Sequence, residues 1–146
     1  MKILNWITTK LLRLYKPGYL PEPIFFEMCR LNTLIAVEIL VKDGDRIYLE
    51  ERDDKYFGSV LHIPGTIVRG NESVDDAYYR LRNELLGERI QIIEQVNYDK
   101  VCFKETPRGN VLHFLKIVDT GLDTNYSIKR LPKNTLNYHR AVLKDL

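Results

Sequence analysis

A turn, a loop and a capped helix follow one another over residues 63–87, and this succession constrains the fold more than any other stretch. It reads IPGTIVRGNESVDDAYYRLRNELLG. Pro64-Gly65 marks a turn. Ser73 suits a helix N-cap, and the acidic residues after it suit the positive end of the helix dipole. Because Gly87 suits a left-handed cap, the pattern predicts a helix from Ser73 to about Leu86.

Strand-like segments lie on both sides of this helix. Before it, the sequence predicts a short helix at 24–31, strands at 34–41 and 46–51 joined by the turn Asp43-Gly44-Asp45, a loop at 53–58 and a strand at 60–63. After it, the sequence predicts strands at 90–105 and 111–118, then a loop up to Lys133 and a short helix ending at Leu146. Strands before and after a central helix indicate an α/β or α+β sandwich with a mixed sheet between helices.

Composition indicates one globular domain. The chain has 146 residues, of which 45% are hydrophobic and 29% charged, which is neither disordered nor membrane-spanning. The net charge of +2 comes from 22 basic and 20 acidic residues, too even a balance for a nucleic-acid-binding face. The two cysteines are far apart and form no disulfide framework, which is typical of a reducing cytosol.

Residues 1–19 form a separate predicted segment, an amphipathic helix with a linker, and residues 20–146 form the predicted domain. Apolar residues recur at helical spacing over 1–16. Basic residues interrupt them and no cleavage site follows, so the segment is not a signal peptide, and it is too short to span a bilayer. Two interpretations stay open. The helix packs on the domain or a partner subunit, or it lies at a membrane surface, where Trp6 and the basic residues suit the headgroup layer.

The stretch 63–87 resembles the Nudix box of the Nudix hydrolases. The matching positions are Pro64-Gly65, Glu72, Arg80, Glu84 and Gly87. By this resemblance, the glutamate of the loop and the arginine of the helix form a structural ion pair. The family holds Mg²⁺, with Mn²⁺ as the alternative, on carboxylates that share one helix face. The metal clamps a diphosphate and activates water, so the resemblance implies a Nudix-like domain that hydrolyses a nucleoside diphosphate linked to another moiety.

Three positions depart from the box. Leu81 and Leu85 stand where the family places two metal-binding glutamates, and Thr66 replaces the second glycine. The metal ligands that the resemblance still implies are Glu84, the Thr66 carbonyl and Glu72.

The stretch from Leu20 to Gly87 is also similar to the GDP-mannose mannosyl hydrolase branch of the superfamily. Residues in the helix of that branch are matched here by Ala77, Tyr78, Arg80 and Leu81. By this resemblance Glu38, Arg52 and His113 correspond to site residues on three strands, and His139 is the candidate for a C-terminal base. The branch implies that the substrate is a nucleotide sugar and that water attacks the sugar carbon, with His139 or Glu38 assisting. It also implies that Arg52 positions the diphosphate. The family resemblance also implies a homodimer.

Each candidate residue also has an ordinary structural interpretation. Glu84 is either a catalytic metal ligand or a solvated helix residue. His139 is either a general base, as a histidine titrates near neutral pH, or a surface histidine. His113 either faces a ligand cleft or is half-buried in a strand. Arg52 and Arg69 either contact a diphosphate through their guanidinium forks or are exposed loop residues.

Two functions from different classes follow. The first is a cytoplasmic, Mg²⁺-dependent hydrolase of a small nucleotide substrate, with no nucleic-acid partner. The alternative is a catalytically weakened or inactive Nudix-fold module that binds a nucleotide or a protein. The two leucines favour the alternative, because an apolar helix face is poor for a metal and good for packing. Contact with a membrane or a partner through residues 1–16 is compatible with either function.

Overall fold

A mixed sheet around one central strand organises the chain in this computed structural model, which describes Lys10 and residues 21–54, 57–87, 100–106, 109–118 and 124–146. The elements are α1 (Glu22–Leu31), β1 (Leu34–Asp43), β2 (Arg46–Ile47), β3 (Glu50–Asp54), β4 (Gly58–His62), β5 (Gly65–Ile67), α2 (Val74–Leu86), β6 (Lys100–Thr106), β7 (Gly109–Val118), β8 (Tyr126–Ser127), a 3-10 turn (Ile128–Arg130) and α3 (Asn137–Lys144). Apart from Lys10, the predicted helix over 1–16 lies outside the described residues, as does the 90–99 part of the strand predicted over 90–105.

Strand β1 lies at the centre of the sheet, whose strand order is β6-β7-β1-β2-β8, with β5 also paired to β1. Strands β1 and β7 run parallel from Leu34 opposite Val111 to Val41 opposite Val118. Strands β2 and β5 pair with β1 in the antiparallel direction. The predicted mixed sheet is therefore confirmed. Strands β3 and β4 form a separate antiparallel hairpin.

The two faces of β1 belong to two different cores, because successive side chains of a strand point to opposite faces. On one face, Val37, Ile39 and Val41 pack against α2. On the other face, Leu40 packs in a core that includes residues of β4 and α3. The sheet thus lies between helices, as predicted. Glu38 is on the second face, so its carboxylate enters the layer between the sheet and the hairpin.

Helix α2 begins and ends at the predicted residues. Asp76 N–H donates to the Ser73 hydroxyl at 3.1 Å, and Ser73 N–H donates to the Asp76 carboxylate at 3.0 Å, which closes a capping box. Gly87 ends the helix with a φ of 61°, a value that favours glycine. Its ψ of −164° is extended, so the predicted left-handed helical cap is right in position and wrong in conformation.

Three predicted loops contain strands. Strand β3 extends to Asp54 in a run of charged residues, β5 lies where a turn and a loop were predicted before the helix, and β8 lies in the tail that was predicted to be irregular. The predicted strand over 46–51 is interrupted at Tyr48-Leu49. There the Asn125 side chain replaces a neighbouring strand, because it accepts from Leu49 N–H at 2.9 Å and donates to Leu49 C=O at 2.8 Å. Such contacts join residues far apart in sequence, so local patterns do not reveal them. No helix among the described residues is long and apolar enough to cross a membrane.

Candidate functional site

A cleft of about 140 Å³ lies on the Glu38 side of the sheet. Its polar lining includes Glu38 from β1, Arg52 from β3 and His113 from β7. Phe25 and Phe57 belong to its apolar lining. Three residues that the sequence singled out on separate strands therefore meet around one cavity, whereas Arg69, Glu84 and His139 are not among its lining residues.

Glu38 is the charged centre of the site and is only 4% exposed. Its Oε1 atom is 2.9 Å from His113 Nδ1, His139 Nε2 and Tyr138 Oη. Burial raises the pKa of the Glu38 carboxyl, but its interactions with His139 and His113, including the hydrogen bonds from both rings, outweigh this effect and hold the pKa well below its usual range. Glu38 is therefore ionised at neutral pH. So low a pKa makes it a poor general base and a strong hydrogen-bond acceptor.

His113 connects Glu38 to the cleft. His113 is only 3% exposed, and its Nδ1 atom faces Glu38. The other ring nitrogen, Nε2, is buried and has no hydrogen-bond partner among the described residues. The ring of Tyr138 packs beside it, with centroids 4.8 Å apart. His113, a lining residue of the cleft, therefore has a buried, unpartnered nitrogen whose hydrogen bonding a ligand in the cleft could complete.

His139 lies behind Glu38. It is 1% exposed, so the interpretation as a surface histidine is wrong. Its Nε2 atom faces Glu38, and its Nδ1 atom accepts the backbone N–H of Ile63 at 3.1 Å. Both nitrogens are occupied by the protein. The structure thus brings the predicted base next to the site but leaves it no nitrogen for a substrate.

Gly65 allows Glu38 to occupy its position. The two residues face each other in the β1–β5 ladder. A Cβ atom on Gly65 would lie 2.9 Å from Glu38 Cγ and 3.2 Å from the Val37 carbonyl oxygen. The turn glycine of the sequence motif is therefore required by the buried carboxylate beside it.

Replacing Gly65 by alanine is expected to lower the free energy of unfolding by about 1–3 kcal/mol, because the new methyl group displaces Glu38 or the β1 backbone. Gly70→Ala is the matched control, since a Cβ atom there meets nothing within 4 Å. Urea unfolding of both variants measures the difference. Equal stabilities would contradict the tight contact between Gly65 and Glu38.

Helix α2 is attached to strand β5 by Arg80, which lies at the centre of an ion-pair cluster. Its Nε and Nη2 atoms donate to the two Glu72 carboxylate oxygens at 2.7 and 2.9 Å. Nη1 donates to the Thr66 hydroxyl at 2.9 Å, and Nη2 also donates to the Ile67 carbonyl at 3.2 Å. The hydrogen bonds from Arg80 lower the pKa of Glu72 to about 2. Glu72 also accepts Arg69 N–H at 3.1 Å, which ties the loop to the helix.

Two of the predicted metal ligands are carboxylates that face a guanidinium group. Glu72 bonds to Arg80, and Glu84, whose side chain is 59% exposed, lies 3.9 Å from the same group. Thr66 also bonds to Arg80, but through its hydroxyl and not through the carbonyl that was the predicted ligand. Leu81 is buried in the core. The described residues contain no group of three or more His, Cys, Asp or Glu side chains able to hold a metal ion. Mg²⁺ is usually held by one or two carboxylates together with water and substrate phosphates, but here both candidate carboxylates face the Arg80 guanidinium, so these residues do not fit Mg²⁺ or its Mn²⁺ alternative.

Several site residues were missed by the sequence interpretation. Tyr138 was not among the candidate residues, although its hydroxyl donates to Glu38. The Ile63 backbone and the two phenylalanines of the cleft had no recognisable signal. Tyr138 was detectable only as the neighbour of His139, on a helix whose orientation the sequence does not specify.

Comparison with known proteins identifies the fold. No family model and no curated protein matches the chain. A MutT Nudix hydrolase from Burkholderia pseudomallei is 14% identical, with a TM-score of 0.62 over 79% of this chain and 98% of that chain. A protein described as a possible asymmetric diadenosine tetraphosphate hydrolase, from Jonesia denitrificans, is 18% identical, with a TM-score of 0.61 over 78% and 92%. A Nudix-family hydrolase from Clostridium perfringens is 15% identical, with a TM-score of 0.52 over 78% and 95%. These similarities show that the chain has the Nudix fold, as predicted.

Proposed function

We propose that this chain, which has the Nudix fold, hydrolyses a nucleoside diphosphate linked to another moiety, with a nucleotide sugar such as GDP-mannose as the first candidate. The observation that carries the proposal is the pairing of buried Glu38 with His113 at the wall of a cleft that also contains Arg52. A carboxylate that orients a histidine is an arrangement that supports proton transfer. An arginine in the same cleft supplies charge for a phosphate.

Arg52 is the proposed diphosphate ligand. Its Nη2 atom bonds to Asp54 at 3.0 Å, and its side chain is 41% exposed. Its Nε atom is buried and has no partner among the described residues. A guanidinium has five N–H donors in a planar fork, so Arg52 keeps donors for phosphate oxygens. Its charge would offset the negative charge that develops on the leaving diphosphate.

The proposed reaction is substitution at the sugar carbon. The water oxygen bonds to that carbon while the bond from the carbon to the phosphate oxygen breaks. The nucleoside diphosphate leaves with the electron pair, and a base in the cleft takes the proton of water. No step runs through a metal, because the described residues do not fit one. The apolar lining at Phe25 and Phe57 suits the base of the nucleotide.

The direct test is incubation of the purified chain with GDP-mannose, ADP-ribose and diadenosine tetraphosphate, followed by separation of the products. Release of mannose together with intact GDP is the expected result. Arg52→Lys should lower kcat/KM by about 10–100-fold, because lysine keeps the charge but loses the bidentate fork. Failure to release any product from the three compounds would refute the hydrolase proposal for these substrate classes.

Magnesium alone is expected to leave the melting temperature unchanged within about 1 °C, since a cation that finds no site in the folded state gives no stabilisation. GDP-mannose is expected to raise the melting temperature without magnesium, because its diphosphate binds Arg52. Thermal unfolding with each component alone and with both measures these effects. Stabilisation by Mg²⁺ alone that disappears in Glu84→Gln would instead support the metal site implied by the family resemblance.

A second candidate is a binding module without turnover. Leu81 is buried and Leu85 packs on the same core, so the positions of two family metal ligands serve packing here. A nucleotide sugar that stabilises the fold and is recovered intact would favour this function. The predicted homodimer and the predicted contact through residues 1–16 remain open predictions for either function.

A further inference from the structure

We infer that His113 is the base that takes the proton in this cleft, and that His139 is a positioning residue that orients the protons of the site. The catalytic part rests on the proposed function, whereas the proton arrangement is measurable without a substrate. A continuous hydrogen-bond chain carries the inference. It runs from the Ile63 backbone through His139 and Glu38 to His113.

The first step assigns the proton of His139. A backbone N–H can only donate, so the nitrogen that receives Ile63 N–H must present a lone pair. That nitrogen is Nδ1, at 3.1 Å. A neutral imidazole carries one N–H, which therefore lies on Nε2 and donates to Glu38 Oε1 at 2.9 Å.

The second step assigns the proton of His113. An ionised carboxylate is an acceptor only, so every group bonded to Glu38 must donate. His113 Nδ1, at 2.9 Å from Oε1, therefore carries the hydrogen. In the neutral ring this leaves the lone pair on Nε2. That atom has no partner in the part of the chain that the structure describes, and His113 lines the cleft.

The third step compares the two histidines as bases. Neither nitrogen of His139 is open to a substrate, because Nε2 already holds a proton and Nδ1 accepts Ile63 N–H. His113 can take a proton at Nε2 without losing its bond to Glu38. The carboxylate then stabilises the resulting imidazolium. The proton moves from the attacking water to His113 Nε2. The other hydrogen bonds between Ile63, His139, Glu38 and His113 stay as they are.

Magnetic resonance of the free protein tests the proton arrangement. The chain has 3 histidines, so long-range proton–nitrogen correlations of the labelled rings can be assigned with single variants. His62 provides an internal reference, because its Nδ1 must donate to the Ile63 carbonyl at 2.8 Å and burial lowers its pKa, which keeps it neutral. We expect protons on Nδ1 of His62 and His113 and on Nε2 of His139. A proton on Nδ1 of His139, or on Nε2 of His113, would overturn the assignment.

Kinetic measurements with a substrate that the protein hydrolyses test the roles of His113 and His139. His113→Gln should lower kcat by about 100–10,000-fold, the range for loss of a general base. His139→Gln should lower kcat less than about tenfold, because the glutamine amide can still donate to Glu38. Equal losses in both variants would contradict the assignment of the base role to His113 and overturn the inference. If no substrate is turned over, the proposed function fails, while the spectrum of the unmodified protein still decides the proton arrangement.

Discussion

Glu38→Ala is expected to lower the free energy of unfolding by about 3–5 kcal/mol, because each buried donor that loses its acceptor costs about 1–3 kcal/mol. Three donors converge on Glu38 Oε1 at 2.9 Å, from His113, His139 and Tyr138. Removing the carboxylate leaves all three without their acceptor. Turnover should be lost as well, because nothing would orient His113.

Urea unfolding measures this loss, and Glu84→Ala is the control because Glu84 is a 59% exposed carboxylate on the motif helix. The control should change stability by less than about 0.5 kcal/mol, as is usual for exposed positions. A loss below about 1 kcal/mol in Glu38→Ala would show that the buried network does not hold the two layers together.

The acid dependence of stability gives a second measurement on the same variant. The pKa of Glu38 lies below its usual range in the folded chain, so its stabilising contribution is complete above the pKa of the unfolded chain and is lost as pH falls. The unmodified protein should therefore lose stability below about pH 4.5, near the ordinary pKa of a glutamate. Glu38→Ala should lose less over the same pH interval. An unchanged acid profile would contradict the ionised state of Glu38.

Arg80→Lys is expected to lower the free energy of unfolding by about 2–3 kcal/mol, in line with hydrogen bonds to charged groups. The Arg80 side chain is only 17% exposed and uses its fork to bond Glu72, Thr66 and the Ile67 carbonyl. Lysine retains the charge but cannot make these bonds at the same time. Strand β5, which places Gly65 beside Glu38, would then be less firmly attached to helix α2.

Arg130→Lys is the control for charge-conserving substitution, because Arg130 is exposed. The two variants are compared by urea unfolding across pH. The pKa of Glu72 is lowered to about 2 by Arg80, so its contribution is complete above the pKa of the unfolded glutamate and is lost as pH falls towards 2. Arg80→Lys should lose less stability in that interval than Arg130→Lys. Parallel profiles would contradict the Arg80–Glu72 bond.

Arg80 gives the motif a structural role among the described residues. The Glu72 carboxylate and the Thr66 hydroxyl bond its guanidinium, and the Glu84 carboxylate lies 3.9 Å away. The positive charge between these two carboxylates is thus a side chain of the protein. Through these bonds the motif attaches strand β5, which carries Gly65, to the helix.

Local signals in the sequence were sufficient for the elements whose bonds are local. The cap at Ser73, the stop at Gly87 and the helix between them depend on residues within a few positions of one another. The turn predicted at Pro64-Gly65 does not belong to this group, because Gly65 begins strand β5, whose pairing with β1 joins residues far apart in sequence. A near-continuous apolar run also indicated β1, because a strand that is buried on both faces requires one.

The site itself was decided by tertiary structure. Glu38 lies 75 residues from His113 and 101 from His139, and its burial depends on the parallel pairing of β1 with β7 and on the docking of α3. The family resemblance named these residues one by one, but it could not assign the free nitrogen to His113 instead of His139. That assignment depends on the backbone N–H of Ile63, which no side-chain pattern encodes. Hydrogen-bond direction is a property of atoms in three dimensions, so only the packed chain determines which group faces the cleft.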